Sequence, residues 1–260
     1  MSLLDSLWNA MGYPLRRGMG HKGPRPSDKD APIAELFLKL GAPAAVPTSG
    51  STYSPLLLVK DQGQTESCVG QSVSNAVRAA YLALGQQCPD LSALFVYYGT
   101  RAIRTPRVSD DGGYLRDAES SLQVTGECDE VHWAFSEGRV NTPPAWSAYQ
   151  NAIARRGKRR YYIINPGDVD SVKRALAAKV PVVGGWQVDE AFMDATIKGT
   201  QGPCKGKIVG GHAMMIESFD KDLFTNLNSW GKSYRLGGRY AASSDFIATA
   251  NTLVAIDVRP

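Results

Sequence analysis

The amino-acid sequence predicts an α+β protein, with helices gathered in its first half and strands in its second. From Cys68 onward apolar residues recur at helical spacing (Val69, Val73, Ala76, Val77, Ala80, Leu84), and two further helical stretches follow before residue 150. After residue 160 the apolar residues come instead in short runs bounded by turn residues, among them Tyr161 to Ile164, Val180 to Val183, Ala213 to Phe219 and Phe224 to Leu227. A chain of 260 residues, 43% hydrophobic and 21% charged, has ordinary globular composition. It is long enough for one large domain or for two lobes sharing a cleft.

Taken in order, residues 1–55 read as an arm and linker, and 56–260 as the folded domain, helical over about 60–150 and strand-rich over about 160–258. In the arm, Ser2 to Met11 carries Leu3, Leu4, Leu7, Trp8 and Met11 on one side of a short amphipathic helix. A Gly, Pro, Lys and Arg-rich linker runs from Gly12 to Pro32, Ile33 to Leu40 forms another short helix, and Ala42 to Ser54 is loop. The arm either docks into a protein partner, covers a cleft, or packs on its own domain. Its shortness tilts the reading slightly toward docking. In the domain, the helix that starts at Cys68 stops at Gly85. A second, Leu91 to Ile103, has Ser92 as N-cap, and a third, Tyr114 to Thr125, stops at Gly126. Asp168 caps a helix from Val169 to Lys179, and Gly238 to Tyr240 and Leu253 to Val258 complete the strands.

Several function classes are excluded. The net charge of +4 is mild, and the densest basic run, Arg155 to Arg160, reads as a solvated turn before a strand, so no nucleic-acid partner is expected. No stretch approaches the roughly 18 apolar residues of a membrane span, so no membrane partner is expected. Asp5 interrupts the N-terminal apolar run and Arg16-Arg17 come after it, which is not a signal peptide. The expected location is the cytoplasm or a larger particle such as a virion. There is no Gly-rich phosphate loop, no HExxH and no CxxC pair, so neither a metal nor a cofactor is expected.

The chemistry concentrates at Cys68. A polar loop, Asp61 to Ser67, delivers this cysteine to a predicted helix N-terminus, where free N–H groups and the dipole favour a thiolate. A buried structural cysteine is the bland alternative. What separates the two lies 144 residues on, in Gly210-Gly211-His212-Ala213 and Asn228-Ser229-Trp230-Gly231. Two antiparallel strands joined by a turn at Asp220-Lys221-Asp222 bring His212 and Asn228 side by side. A cysteine nucleophile needs an imidazole to take its proton, and the imidazole needs an orienting group on its other nitrogen. His21 and His132 read as surface or packing residues.

The blocks Gln62-Gly63, Ser67-Cys68, His212-Ala213 and Asn228-Ser229-Trp230-Gly231, in this order and spacing, resemble the papain-like (C1-type) cysteine peptidases. Leu91 to Phe95, Asp111-Gly112-Gly113-Tyr114 and Gly202-Pro203-Cys204 resemble further landmarks, so the similarity spans roughly residues 55 to 258. The resemblance implies a two-lobed fold, a helical lobe and an antiparallel β-barrel-like lobe with the site in the cleft between them. It implies Cys68 as nucleophile, His212 as base, Asn228 as orienter and Gln62 as oxyanion donor. It places Gly112, Gly113, Glu66, Gly210, Gly211 and Trp230 among substrate-contacting residues, with Trp230 shielding the His–Asn bond. The usual disulfide positions are missing, because Thr65 and no later cysteine stand where partners would be. This suggests a bacterial or phage-like branch in a reducing setting; a Cys88–Cys128 bridge stays open. Glu66 replaces the usual glycine and Val69 the usual aromatic. The expected function is a cysteine endopeptidase acting on peptide or protein substrates. The alternatives are a papain-like scaffold docked in an assembly through its arm with weak or lost catalysis, and a transferase or deamidase using the same groups.

Overall fold

The computed structural model describes residues 17–27, 30–157 and 159–260; the amphipathic stretch Ser2 to Met11 lies outside them. The first helix of the domain, α2 (Cys68–Ala83), begins at the cysteine and packs on α3 (Ala93–Ala102) and α4 (Leu115–Thr125). The Ser92 hydroxyl accepts from the Phe95 N–H, which caps α3 as expected, and Asp168 does the same for Ser171 at the start of α6 (Val169–Ala177). The short α5 (Trp146–Ala152) closes this half.

The second half is a single seven-stranded antiparallel sheet. Its strands are β2 (Arg160–Ile164), β3 (Val182–Asp189), β4 (Ile208–Asp220), β5 (Leu223–Leu227), β6 (Arg239–Ser243) and β7 (Thr252–Asp257), with β1 (Ser49–Ser51) paired to the far end of β4. The spatial order is β2-β7-β3-β4-β5-β6, and the sheet stays open, with β2 and β6 at its margins, so it is barrel-like in curvature at most. The helix α7 (Ser244–Ala248) links β6 to β7. The long β4 serves three partners because its first half pairs with β3 and its second half with β5 and β1.

Alternation along β4 divides the molecule. Ala213 and Met215 point into a core shared with α2, α3 and α4. Met214 and Ile216 point into a second core with Trp186, Phe192, Phe224, Tyr240 and Phe246. A strand buried on both faces reads as an unbroken apolar run, which is why Ala213 to Ile216 shows no polar alternation. Residues beyond the linker are built into this second core. The helix α1 (Ile33–Leu40) buries Ile33, Leu36 and Phe37 there, and α1 ends on Gly41 in the left-handed region.

Two expectations change. The basic run before β2 is not wholly solvated: Arg159 is buried and pairs with Glu119 and Glu127 beneath α4, while Arg160 faces out. Cys88 and Cys128 are free thiols rather than a bridge. No helix among the described residues is long and apolar enough to cross a membrane.

Candidate active site

The site forms where the α2 N-terminus meets β4. Cys68 is fully buried, and backbone groups of Ala213, Gly20 and Val69 hydrogen-bond to its sulfur. Burial pushes the thiol up to about 12, outweighing those hydrogen bonds, and the nearby Glu66 charge adds to the rise. One residue before Ala213, His212 turns a ring nitrogen to Asn228: Nε2 lies 2.7 Å from Asn228 Oδ1. Its other nitrogen, Nδ1, is buried with no hydrogen-bond partner. Burial lowers the imidazole to about 4, against the Asn228 bond that raises it. Asn228 Oδ1 also accepts from the Ser229 N–H at 2.8 Å, which fixes the amide's orientation. Trp230 stacks on the His212 ring, centroids 4.5 Å apart and planes 29° apart. Its indole sits in the second core against Phe192 and Tyr234, so the residue lies behind His212 rather than on an open wall.

Gln62 is locked from both ends. Its Oε1 accepts from the Ser229 hydroxyl at 2.7 Å, and its backbone N–H donates to the Ser229 carbonyl at 2.8 Å. Its Nε2 donates to the carbonyls of Thr65 at 2.8 Å and Gly18 at 3.1 Å. The loop 61–67 is thus tied to the Asn228–Gly231 segment across the lobes.

The second of those acceptors belongs to the arm. Residues 17–22 lie extended along the cleft. The Gly20 carbonyl accepts from the Gly113 N–H at 2.7 Å, the His21 N–H donates to Gly211 at 2.9 Å, and the Lys22 N–H donates to Gly113 at 3.0 Å. Both bridges, Gly20 with Gly211 and His21 with Gly113, are parallel. Gly112, Gly113, Gly210 and Gly211 therefore do meet an extended chain, and it is this protein's own. Met19 packs against Gly210. A Cβ on Gly18 would overlap the Thr65 carbonyl, and one on Gly20 the Glu66 carbonyl, so only glycine lets the arm pass this close to Cys68.

His21 is the buried residue of the cleft that the sequence did not single out. It is buried in the cleft, with Nε2 3.0 Å from Asn251 Oδ1, against the bare backbone of Gly185 and Gly211. Burial lowers its pKa and the Asn251 bond partly offsets this. The signal that could have found it is the alternation Gly18-Met19-Gly20-His21 inside a segment otherwise read as linker. His132 takes no part in the site. Among the described residues, no group of three or more His, Cys, Asp or Glu side chains could hold a metal ion.

No family model matches the chain. It is 28% identical over 204 residues to an uncharacterised peptidase C1-like protein of Acanthamoeba polyphaga mimivirus, covering 74% of this chain and 66% of that one. The chain thus spans just under two thirds of that relative's length. Xylellain, a cysteine protease from Xylella fastidiosa, superposes with a TM-score of 0.79 at 22% identity, covering 94% of this chain and 97% of that one. Digestive procathepsin L 3 of Tenebrio molitor gives 0.68 at 19% identity, over 95% and 77%. Procathepsin B S9 of Trypanosoma congolense gives 0.68 at 16%, over 94% and 87%. At these identities the solved structures speak for the fold, which is papain-like, and the viral relative adds a sequence likeness to a peptidase C1-like protein.

Proposed function

We propose that this chain is a cysteine endopeptidase held in a covered, latent state by its own residues 17–22. Cys68 would attack the peptide carbonyl, His212 would take the thiol proton and return it to the leaving amine, and Asn228 would orient His212. Gln62 Nε2 would donate to the oxyanion together with the Cys68 N–H at the start of α2. The observation that carries the reading is the Cys68–Ala213/His212–Asn228 juxtaposition across two lobes, with Gln62 locked beside it. No step requires a metal or cofactor.

The Gln62 amide already donates to a carbonyl in the cleft, that of Gly18, so the donor stands where an extended chain passes. Two of the similar structures are procathepsins by name, which agrees with a covered form. The decisive experiment is labelling with an epoxide or vinyl-sulfone thiol trap, followed by mapping of the modified residue. Cys68 alone should be modified once the arm is unseated, and Cys68→Ala should abolish peptide cleavage while leaving the thermal transition in place. A scaffold reading has one observation in its favour, the complete burial of Cys68. It predicts that unseating the arm exposes no reactive thiolate.

A further inference from the structure

The arm is fastened by charge as well as by backbone pairing: across residues 17–25 the paired charges are cations, and farther on Asp30 pairs the other way, 2.7 Å from Arg116 Nε. Arg17 Nη1 lies 2.8 Å from Asp61 Oδ1, and Lys22 Nζ lies 3.0 Å from Asp111 Oδ2. Arg25 pairs with Asp117 in the first turn of α4. Three cations of the arm thus meet three carboxylates of the folded domain, one before Cys68 in the direction of the arm and two after it.

The third seat is more than a surface pair. Asp117 is 1% exposed, and its Oδ2 has no hydrogen-bond partner; Arg104 Nε lies 3.9 Å from that oxygen. The Arg25 guanidinium also lies 5.8 Å from the centroid of the Tyr114 ring. A buried carboxylate beside an aromatic face is a guanidinium receptor: the carboxylate takes the N–H groups and the ring takes the flat cation. When the arm leaves, this carboxylate loses its hydrogen-bonded partner and keeps Arg104, 3.9 Å away and itself 5.1 Å from the centroid of the Tyr114 ring, and a buried charge so loosely paired is costly.

We propose that the cleft selects cationic substrates, extended segments that place an Arg at the Asp117–Tyr114 niche and Lys or Arg at Asp111 and Asp61. This deepens the peptidase reading and rests on it. Whatever displaces the arm must use the same backbone groups of Gly113 and Gly211, and so runs past the same three carboxylates. A cationic segment re-pairs them, whereas an acidic one meets like charge. The glycines of the arm add a second requirement, since a segment between the Thr65 and Glu66 carbonyls and Gly211 has room for small residues only.

The test uses the full chain with Gly18→Leu and Gly20→Leu, which cannot seat the arm, and a fluorogenic peptide library varied for Arg, Lys, Gln and Glu. Peptides carrying Arg or Lys should be cleaved about fivefold or more faster in kcat/KM than their Glu counterparts. The difference should shrink between 0.05 and 0.5 M salt. Asp117→Asn should reduce kcat/KM on Arg peptides two- to fivefold through KM, leaving Gln peptides within twofold. Equal cleavage of Arg, Gln and Glu peptides overturns the proposal. Should the leucine variant fold poorly, the full chain with Arg17→Glu, Lys22→Glu and Arg25→Glu opens the cleft by repulsion instead and is read in the same way. If no peptide is cleaved, the peptidase reading has failed, and the proposal is read from binding. The same opened chain with Cys68→Ala should bind a labelled Arg/Lys peptide at least fivefold tighter than its Glu counterpart, and equal affinity refutes it.

Discussion

Substituting Gly20 by leucine in the full chain should switch the protein on. The perturbation is steric and local, because a Cβ at this position would overlap the Glu66 carbonyl, which is backbone and has no rotamer to yield. Four hydrogen bonds hold the arm in the cleft: Gly113 to Gly20, His21 to Gly211, Lys22 to Gly113 and Gln62 to Gly18, between 2.7 and 3.1 Å. At about 1 kcal/mol net each these four contribute about 4 kcal/mol to the covered state, beside the ion pairs of Arg17, Lys22 and Arg25 and the His21–Asn251 contact. Losing all four corresponds to a gain of about a thousandfold, since each 1.4 kcal/mol is about tenfold in the open fraction. The ordering entropy of the seated residues brings the expected gain down to between about tenfold and a few hundredfold. The assay is kcat/KM on a small neutral fluorogenic peptide, with circular dichroism and Tm measured in parallel. A Gly20→Leu protein that is folded, melts within a few degrees of the parent and turns over no faster than it would falsify the masking argument.

The other expectations follow from the same geometry. In the parent chain Cys68 should react slowly with a thiol trap at pH 7.5, because burial holds it as a thiol; in Gly20→Leu it should outpace Cys88, Cys128 and Cys204, as peptide mapping of the labelled protein will show. The ratio of labelling rates, parent over Gly20→Leu, should rise as pH falls from about 6.5 toward 4. His21 and His212 have folded-state pKa values below the ordinary 6.5, so the covered state is favoured above 6.5 and loses that advantage on acidification. Asn228→Ala in the opened protein should lower kcat about tenfold or more with KM within about twofold, measured by steady-state kinetics, because His212 loses the hydrogen bond that orients its ring. Arg159→Ala should destabilise the fold by about 3–5 kcal/mol in denaturant titration, since it strands Glu119 and Glu127 in the interior.

What the sequence made legible was whatever repeats or stands at fixed spacing. The helix begins at Cys68 because apolar periodicity starts there, and the turn at Lys221, with a left-handed φ of 53°, sets the hairpin that brings Asn228 to His212. The path of the arm was not legible for a physical reason. Composition reports that Gly12 to Pro32 lacks the apolar residues to bury a core, which is true, but not that carbonyls at Thr65 and Glu66 leave space only for glycine at 18 and 20. That constraint comes from residues more than forty positions away. His21 was invisible on the same ground: its partner, Asn251, lies 230 residues along the chain. Arg159 was lost in a basic run whose solvent face, Arg160, is the member that matches the average. Only the strand alternation into Tyr161 and Tyr162 distinguishes them, and it says nothing of the two carboxylates waiting inside.

The covered state acts on protonation as well as on access. Burial raises Cys68 to about 12 and lowers His212 to about 4, so in the seated form the neutral thiol and the neutral imidazole are favoured by a wide margin. Both displacements have burial as their largest cause, and residues 18–21 are part of what buries them. Removing the arm readmits water to both groups at once, and their pKa values move toward each other. The N–H groups at the start of α2 then favour the thiolate without opposition from desolvation. A peptide must displace the whole arm and reports on steric access, whereas a small uncharged thiol trap needs only a local opening at the buried Cys68 and there meets a thiol. Comparing the two probes on the parent and on Gly20→Leu therefore separates the steric part of latency from the electrostatic part. If small-trap labelling rises as much as peptide turnover does, the electrostatic part contributes, because the trap needs a smaller opening than the peptide to reach the buried Cys68.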